Sequence, residues 1–396
     1  MSASFQYYAP TEVVFGKDTE SNAGSLIKKY GGTKVLLHYG SQSAKRSGLL
    51  DRIKASLEEA GIGWVELGGV VPNPRLSLVH TGIELGRREG VDFLLAIGGG
   101  SVIDSAKAIG YGLHNEGEVW DFYAGKRTPT GCTPVAAVLT IAAAGSEMSN
   151  SSVITNEDGD LKRGLNTDYS RCKFAVMNPT LTYTLPYYQT MSGVVDIMMH
   201  TIERYFIAGD TMALTDEMAE ALLRVVMGAA RTLKVKSDDY DARANLMWAS
   251  SLSHNGLTGC GNEYRGDWAP HQLEHEMGGM FDVAHGAGLA AIWGSWARFV
   301  YKERPDRFAR FGERVLGLKR SGDDLSDAKA AIAALLDFFR EVDMPTTFAE
   351  LGIHPTAEQI EEMTVKATFF GKRTLGNVMV LGHDEIRAIY TDAAHA

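Results

Sequence analysis

Hydrophobic and polar positions follow two different patterns along this chain, and the change between them divides it. In the first half, short runs of consecutive apolar residues are separated by segments whose apolar positions lie three and four residues apart. Consecutive apolar residues predict strands buried on both faces of a parallel sheet, and the wider spacing predicts amphipathic helices. The predicted strands are Lys34–Tyr39, Gly63–Leu67, Asp92–Ile97, Pro134–Leu139 and Lys173–Met177, with helices between them that include Leu49–Ala60 and Pro74–Glu89.

After Pro186 the pattern is helical and convincing strand patterns are absent. A strand–helix alternation followed by helices alone predicts an N-terminal α/β domain with a mainly parallel, Rossmann-like sheet and an all-α C-terminal domain. We place the boundary near N-P-T-L-T-Y-T-L-P, which gives domains of residues 1–185 and 186–396. The predicted C-terminal helices are Met191–Ala208, Ala213–Leu233, Asp241–His254, Ala287–Val300, Asp324–Val342 and Ala357–Phe369.

Composition and charge narrow the class of partner. A formal net charge of -10 argues against binding to nucleic acid or to anionic membranes, so the expected partner is a small molecule. No apolar run approaches the ~20 residues of a membrane span, and the N-terminus lacks a signal-peptide pattern. The three cysteines are far apart in sequence, as expected for reduced thiols, and we expect a cytoplasmic protein.

A glycine turn follows the third predicted strand. Residues 97–104 read I-G-G-G-S-V-I-D, so a buried strand ends, three glycines turn the chain and a helix begins. Gly98, Gly99 and Gly100 permit positive φ and a close approach of the backbone to a ligand. Ser101 is expected to cap the helix, whose free N–H groups would face a phosphate. The turn does not match G-x-G-x-x-G, so a plain tight turn is the alternative.

Two further segments suggest the walls of a dinucleotide site. The first predicted strand runs into G-S-Q-S-A-K-R, residues 40–46, and residues 140–147 read T-I-A-A-A-G-S-E after another strand. An acidic residue after a strand typically binds the ribose 2′-OH of NAD, and small polar or basic residues accept a 2′-phosphate. Because residues 40–46 lack an acid, they favour NADP(H), with an exposed basic helix start as the alternative. The residues concerned are Gly40, Ser41, Ser43, Lys45 and Arg46.

Candidate metal ligands lie in the second half. Asp196 and His200 are four residues apart, so a helix places both on one face. One carboxylate with several imidazoles suits a divalent transition metal, Fe²⁺ or Zn²⁺, and an open coordination position would make the site catalytic. Spacing favours His271 and His275 as a ligand pair but does not assign every ligand. The second cluster of candidates comprises His271, Glu274, His275, Glu276 and His285.

These motifs together resemble the iron-containing, or group III, alcohol dehydrogenases, and most closely their NADP-dependent butanol dehydrogenase branch. The resemblance covers nearly the whole chain and implies the fold that this family shares with dehydroquinate synthase. Its motifs are Y-A-P-T-E-V-V-F-G-K (8–17), G-G-G-S-V-I-D-S-A-K (98–107), T-I-A-A-A-G-S-E-M (140–148), N-P-T-L-T-Y-T-L-P (178–186), D-I-M-M-H (196–200) and H-Q-L-E-H-E-M-G-G-M-F-D-V-A-H-G (271–286).

The resemblance implies a role for each site residue. The implied metal ligands are Asp196, His200, His271 and His285. His275 would then lie near the nicotinamide and the substrate without binding metal, where an imidazole suits proton relay. Gly40 stands where NAD-preferring relatives carry an acid. The implied cofactor contacts are Gly98, Gly99, Ser101 and Asp104 at the pyrophosphate, together with Thr140 and Lys162.

The implied activity is metal-dependent, NADP(H)-linked hydride transfer between nicotinamide and a small aliphatic alcohol or aldehyde, in a homodimer. A glycerol or other polyol dehydrogenase of the same fold is the nearest alternative, and a non-catalytic metal- or nucleotide-binding protein is a remoter one. Dehydroquinate synthase needs a substrate pocket whose basic residues bind phosphate, whereas residues 260–290 offer only Arg265. Ala143 and Ala144 replace a glycine and a threonine of many relatives, which bears on cofactor affinity.

Overall fold

The computed structural model describes residues 3–40 and 42–395. They form two compact units, one of residues 8–185 and the other of residues 186–395 together with residues 3–7. The N-terminal residues join the second unit through a hydrogen bond that the Ala3 main-chain N–H donates to the Gly261 carbonyl, with an N···O distance of 2.9 Å.

The first unit is built on a six-stranded sheet in which every neighbouring pair is parallel, in the order β1-β8-β5-β4-β2-β3. A two-stranded antiparallel hairpin, β6-β7, lies outside this sheet. The strands are β1 (Glu12–Phe15), β2 (Lys34–Tyr39), β3 (Gly63–Leu67), β4 (Phe93–Gly98), β5 (Val135–Leu139), β6 (Ser151–Asn156), β7 (Leu161–Asn166) and β8 (Phe174–Met177).

Helices cover both faces of the sheet, so its central strands β4 and β5 are buried along their whole length. His38 of β2 is fully buried, and its ring contacts the Leu67 carbonyl at 2.9 Å and Ser105 Oγ at 2.8 Å. The helices of this unit are α1 (Ala23–Lys29), α2 (Ser43–Arg46), α3 (Leu49–Ala60), α4 (Leu76–Glu89), α5 (Gly100–His114) and α6 (Trp120–Tyr123), with 3-10 turns at Thr19–Asn22, Asp168–Ser170 and Pro179–Thr182.

The second unit is helical, and its described residues contain no strand beyond an isolated bridge between Leu375 and Leu381. Its helices are α7 (Tyr187–Tyr205), α8 (Ala213–Val235), α9 (Tyr240–His254), α10 (Ala269–Phe281), α11 (His285–Val300), α12 (Pro305–Arg314), α13 (Asp324–Glu341), α14 (Phe348–Leu351), α15 (Ala357–Ala367) and α16 (His383–His395), with 3-10 turns at Leu257–Gly259 and Tyr301–Glu303. Within the described ranges, no helix combines the length and apolarity needed to cross a membrane.

The predicted fold class, an α/β domain with a mainly parallel sheet followed by helices, is confirmed. Strands β1, β6 and β7 were not predicted, and neither were helices α12, α14 and α16. The edge strand β1 is only four residues long, and none of its residues is fully buried. The hairpin β6-β7 carries Lys162 and Arg163 as buried residues, so no alternation of apolar and polar positions marks it.

Candidate active site

Three strands that neighbour one another in the sheet end where the predicted cofactor segments begin. Tyr39 of β2 pairs with Ile97 of β4, and Gly98 of β4 pairs with Leu139 of β5. The segments that start at Gly40, Gly99 and Thr140 therefore lie side by side at the carboxyl edge of the sheet. Parallel α/β sheets bind ligands at this edge.

Close packing of neighbouring side chains accounts for the first two glycines of the turn. None of Gly98, Gly99 and Gly100 has a positive φ, so the turn does not use the left-handed conformation that glycine permits. Packing explains the glycines, because a Cβ on Gly98 would overlap the Val102 side chain and one on Gly99 would lie 2.9 Å from Ile141 Cβ. The missing side chains let α5 and the segment after β5 pack closely against the turn.

Ser101 does not cap the helix, and Asp104 makes hydrogen bonds within the protein. The residue that precedes α5 is Gly99 and no side chain caps it, so the prediction that Ser101 caps the helix was wrong. Ser101 lies in the first turn instead. The Asp104 carboxylate accepts hydrogen bonds from Ser146 Oγ at 2.5 Å and from the Val153 main-chain N–H at 2.9 Å. These contacts attach α5 to the chain that follows Thr140.

Lys107, one turn further along α5, strengthens the same attachment. Its fully buried Nζ donates to the main-chain carbonyls of Ser146 at 2.7 Å, Ser149 at 3.0 Å and Ser151 at 2.8 Å. Burial lowers the pKa of this ammonium. Lys107 therefore holds the segment 146–151, which continues from the predicted cofactor contact at Thr140.

The remaining predicted cofactor residues are more dispersed. Gly40 directly follows β2, and a Cβ there would meet only the Val70 carbonyl oxygen, at 3.5 Å, so a side chain has room. Ser43 begins α2 and is exposed, whereas Ser41 lies outside the described residues. Lys162 lies on β7 opposite Thr155 and is buried.

The second unit brings the four predicted metal ligands together. Asp196 and His200 lie one turn apart on α7, His271 lies on α10, and His285 begins α11. One potential ligand atom from each of Asp196, His200 and His271 falls within a 4.8 Å cluster. His285 Nε2 lies 3.8 Å from Asp196 Oδ1, and His271 Nε2 lies 3.7 Å from the same oxygen.

Oxygen atoms behind the three imidazoles fix which nitrogen of each ring carries the proton. His200 Nδ1 donates to the Asp196 main-chain carbonyl at 2.9 Å. His271 Nδ1 contacts the carboxylate of Glu203, and His285 Nδ1 contacts that of Glu274. Because carbonyls and carboxylates only accept, each ring in its neutral form carries its proton on Nδ1 and presents a lone pair on Nε2 to a metal.

Two buried acceptors test whether a cation fits this cluster. Asp196 Oδ1 and His271 Nε2 are buried, and within the described part of the chain neither has a hydrogen-bond partner. A buried polar atom without a partner costs about 1–3 kcal/mol. A divalent cation between Asp196 Oδ1 and Nε2 of the neutral His271 ring removes that cost, so the donor set fits a metal.

Charges inside the cluster are consistent with a bound cation. Burial alone would raise the pKa of Asp196, but the neighbouring His200 outweighs it and holds this pKa well below its usual range. Burial lowers the pKa of His200 to about 4, which favours a neutral ring. For His271, burial also favours the neutral ring, but the negative charge of Glu203 outweighs it and raises the pKa to about 9. A metal must therefore displace a proton from His271.

An aromatic and cationic layer packs behind the ligands. The ring of His254 stacks on that of His200 with centroids 3.9 Å apart, and Trp268 meets His271 edge to face at 5.5 Å. Trp268 adopts a left-handed backbone with φ of 63°, which is unusual for a bulky residue. The Arg204 guanidinium lies 4.5 Å from its ring centroid and donates to the His200 carbonyl at 2.7 Å.

His275 lies one turn beyond His271 on α10 and is also buried. Its ring centroid is 6.0 Å from that of His285. The carboxylate of Glu274, which the sequence suggested as a possible ligand, faces the Nδ1 side of His285.

Family models match nearly the whole chain. A model of the iron-containing alcohol dehydrogenases matches residues 10–179, and a model of the C-terminal part of the same family matches residues 190–394. The chain belongs to the iron-containing alcohol dehydrogenase family. The resemblance to this family, inferred from the motifs, is therefore confirmed.

The names of individual relatives of this iron-containing alcohol dehydrogenase specify different cofactors. NADH-dependent butanol dehydrogenase A of Clostridium acetobutylicum is 39% identical over 98% of both chains. NADPH-dependent aldehyde reductase of Escherichia coli is 32% identical and covers 98% of this chain and 99% of its own. The crystal structure of NADH-dependent butanol dehydrogenase A from Thermotoga maritima superposes with a TM-score of 0.94 at 37% identity, covering 99% of this chain and 98% of that one.

Family membership gives the coarse activity. The enzyme is an alcohol dehydrogenase or aldehyde reductase that uses a divalent metal and a nicotinamide cofactor. Sequence reasoning did not identify the carboxylate that orients His271. Glu203 lies three residues after His200, on the same face of α7, and this helical spacing was the available signal.

Proposed function

We propose that the enzyme is an NADP(H)-linked, metal-dependent alcohol dehydrogenase and aldehyde reductase for small aliphatic substrates such as butanol and butyraldehyde. The observation that carries the proposal is the pair of facing, buried acceptors Asp196 Oδ1 and His271 Nε2. Together with His200 and His285, they would hold one divalent metal. A metal of coordination number five or six, such as octahedral Fe²⁺, would keep a position for a substrate oxygen beside these four protein ligands.

A metal held there supplies Lewis-acid polarisation of an alcohol or carbonyl oxygen, and a nicotinamide supplies the hydride acceptor or donor. We propose that Gly98, Gly99, Ser101, Thr140 and Lys162 bind the cofactor. Gly98 and Gly99 let main-chain N–H groups approach the pyrophosphate. Asp104 would serve the same site through Ser146 and Val153, whose donors its carboxylate accepts.

The preference for NADP(H) is proposed from the residues after β2. Gly40 provides no carboxylate for a ribose 2′-OH, and the exposed Ser43, Lys45 and Arg46 offer donors for a 2′-phosphate, with Ser41 as a further candidate. Two of the relatives named above are called NADH-dependent, so the ratio of the two cofactors must be measured. Gly40→Asp has room for its side chain and should shift kcat/KM towards NADH. A higher kcat/KM of the wild-type enzyme with NADH than with NADPH would refute the proposed preference.

His275 is proposed to hold and transfer the proton that the reaction releases or consumes. The residue is buried on the same helix as His271, and its ring lies beside that of His285. His275→Asn should lower kcat by about 10²–10⁴-fold, the usual contribution of a positioned acid or base. The metal content should stay at the wild-type level, since His275 is outside the proposed ligand set.

The decisive experiment removes the metal with a chelator and follows butyraldehyde-dependent oxidation of NADPH and NADH. Activity should disappear and return when Fe²⁺ or Zn²⁺ is added, and the two metals are compared side by side. His271→Ala should lose both metal and turnover. Full activity after verified removal of the metal would contradict the proposal.

Panels of C2–C8 aldehydes and of polyols separate the proposed substrate class from the polyol alternative. Light scattering tests the homodimer expected from the resemblance.

A further inference from the structure

The three imidazoles of the ligand cluster are held in place by unequal means. His200 uses a main-chain carbonyl of its own helix, and His285 meets one oxygen of Glu274. His271 differs because both oxygens of a single carboxylate serve it. Glu203 Oε1 contacts His271 Nδ1, and Glu203 Oε2 accepts the His271 main-chain N–H at 3.3 Å.

The main-chain contact arises from the position of His271 in its helix. His271 is the third residue of α10, and the residue before the helix, Trp268, provides no side-chain cap. The N–H groups of a first turn have no acceptor within the helix, so they need one from elsewhere. Glu203, which is completely buried, meets this need from α7. The same carboxylate therefore caps α10 and determines the tautomer of a metal ligand.

We propose that Glu203 is a positioning residue that commits His271 to the ligating tautomer, and that it does so because it presents two acceptors to two donors of one residue. A glutamine has the same size but only one acceptor oxygen. If that oxygen faces the main-chain N–H, its NH₂ group faces Nδ1 and draws the ring into the Nε2–H tautomer. That tautomer has no lone pair on Nε2, the nitrogen that faces Asp196, for a metal.

The alternative placement of the glutamine is also unfavourable. With the amide oxygen towards Nδ1, the NH₂ group would meet the main-chain N–H, and two donors would face each other in a buried site. Glu274 contacts His285 through one oxygen, and a glutamine oxygen can occupy that position. The two Glu→Gln substitutions therefore differ in the acceptors that are lost, although each removes the same negative charge.

The experiment compares Glu203→Gln with Glu274→Gln by metal affinity. It rests on the metal site of the proposed function but needs neither substrate nor cofactor. Co²⁺ is titrated into metal-free protein against a competing chelator, and its visible spectrum reports the ligand field. Glu203→Gln should weaken Co²⁺ binding by about 10–100-fold and alter the spectrum, the usual effect of losing a group that orients a metal ligand. Glu274→Gln should stay within about threefold of wild type, well below that usual loss, because a glutamine keeps the one acceptor that His285 uses.

Glu220→Gln is the matched control. Glu220 is also completely buried on a helix of the same unit, but its carboxylate serves Tyr205, Arg310 and Arg314. This variant should melt at a lower temperature and bind Co²⁺ with wild-type affinity. Equal losses of affinity in the two glutamine variants near the cluster would overturn the proposal, because loss of charge alone would then explain them. So would a loss of similar size in Glu220→Gln.

A stability measurement keeps the proposal testable if Glu203→Gln folds poorly. In the His271→Ala background only the main-chain N–H needs an acceptor, so a glutamine satisfies it. Glu203→Gln should therefore lower the melting temperature of metal-free protein less in that background than in wild type. Equal decreases would contradict the two-acceptor argument. Failure of the proposed function gives a different result, namely normal Co²⁺ binding by wild type without aldehyde reduction.

Discussion

Replacing Lys107 with methionine tests how the predicted cofactor edge is held together. The ammonium is fully buried and donates to three main-chain carbonyls, those of Ser146, Ser149 and Ser151. A methionine of similar length leaves these carbonyls without that donor, which costs about 1–3 kcal/mol for each. Removing a buried charge offsets part of the loss, since desolvation of an ion costs several kcal/mol. We expect the free energy of unfolding to fall by about 2–4 kcal/mol.

The functional consequence follows from the position of the segment that Lys107 holds. Residues 146–151 continue the chain after Thr140, so their displacement should weaken NADPH binding by about tenfold, or about 1.4 kcal/mol. Urea unfolding measures the stability, and quenching of protein fluorescence by NADPH measures the affinity. Lys126→Met is the control, because the Lys126 side chain is 68% exposed and its ammonium pairs with Asp121 at the surface. If both variants matched wild type in both assays, the role assigned to Lys107 would be refuted.

Three other perturbations test the fold and the glycine turn. Burial lowers the pKa of His38 to about 4, so folding favours its neutral form. The unfolded chain takes up a proton at His38 below about pH 6.5, so the free energy of unfolding should fall by about 3 kcal/mol as the pH drops from 6.5 to 4. Urea titrations should show a smaller decrease for His38→Gln, and an equal decrease would contradict this. Gly99→Ala places a Cβ 2.9 Å from Ile141 Cβ, so it should lower the free energy of unfolding by about 1–3 kcal/mol and weaken NADPH binding. An unchanged melting temperature would exclude the steric explanation. Asp216→Ala removes the carboxylate that pairs with the buried Arg307, whose Nη1 lies 2.7 Å from it, and should cost about 3–5 kcal/mol. An unchanged urea midpoint would show that the pair contributes little.

Strands of the central sheet could be predicted because helices bury them on both sides, which leaves consecutive apolar residues in the sequence. The same reasoning could not find the hairpin β6-β7, where Lys162 and Arg163 are buried among polar neighbours. It also could not show the packing contacts that require glycine in the turn. Steric contacts of absent side chains with Val102 and Ile141 depend on how α5 and the chain after β5 pack, which no local pattern contains.

Only part of the metal cluster can likewise be predicted from local sequence spacing. Helical spacing brings Asp196 and His200 onto one face, and it also favours His271 with His275. The approach of His285 Nε2 to Asp196 depends instead on the chain reversal between α10 and α11. Glu203 precedes its partner His271 by 68 residues. Helical spacing marks Glu203 as a neighbour of His200, but no spacing rule joins it to His271, so this contact could only be found in the folded chain.

The sheet order has a consequence for biosynthesis. The edge strand β1 pairs with β8, and Glu12 is in register with Phe174, roughly 160 residues later. At ribosomal rates of about 5–20 residues per second, β1 would wait about 8–30 s for its partner strand. During that time the exposed edge of β1 is available for pairing with other chains. Newly made chains are therefore most prone to aggregate before residue 177 has emerged, and a chaperone that covers β1 during this interval should increase the yield of folded enzyme.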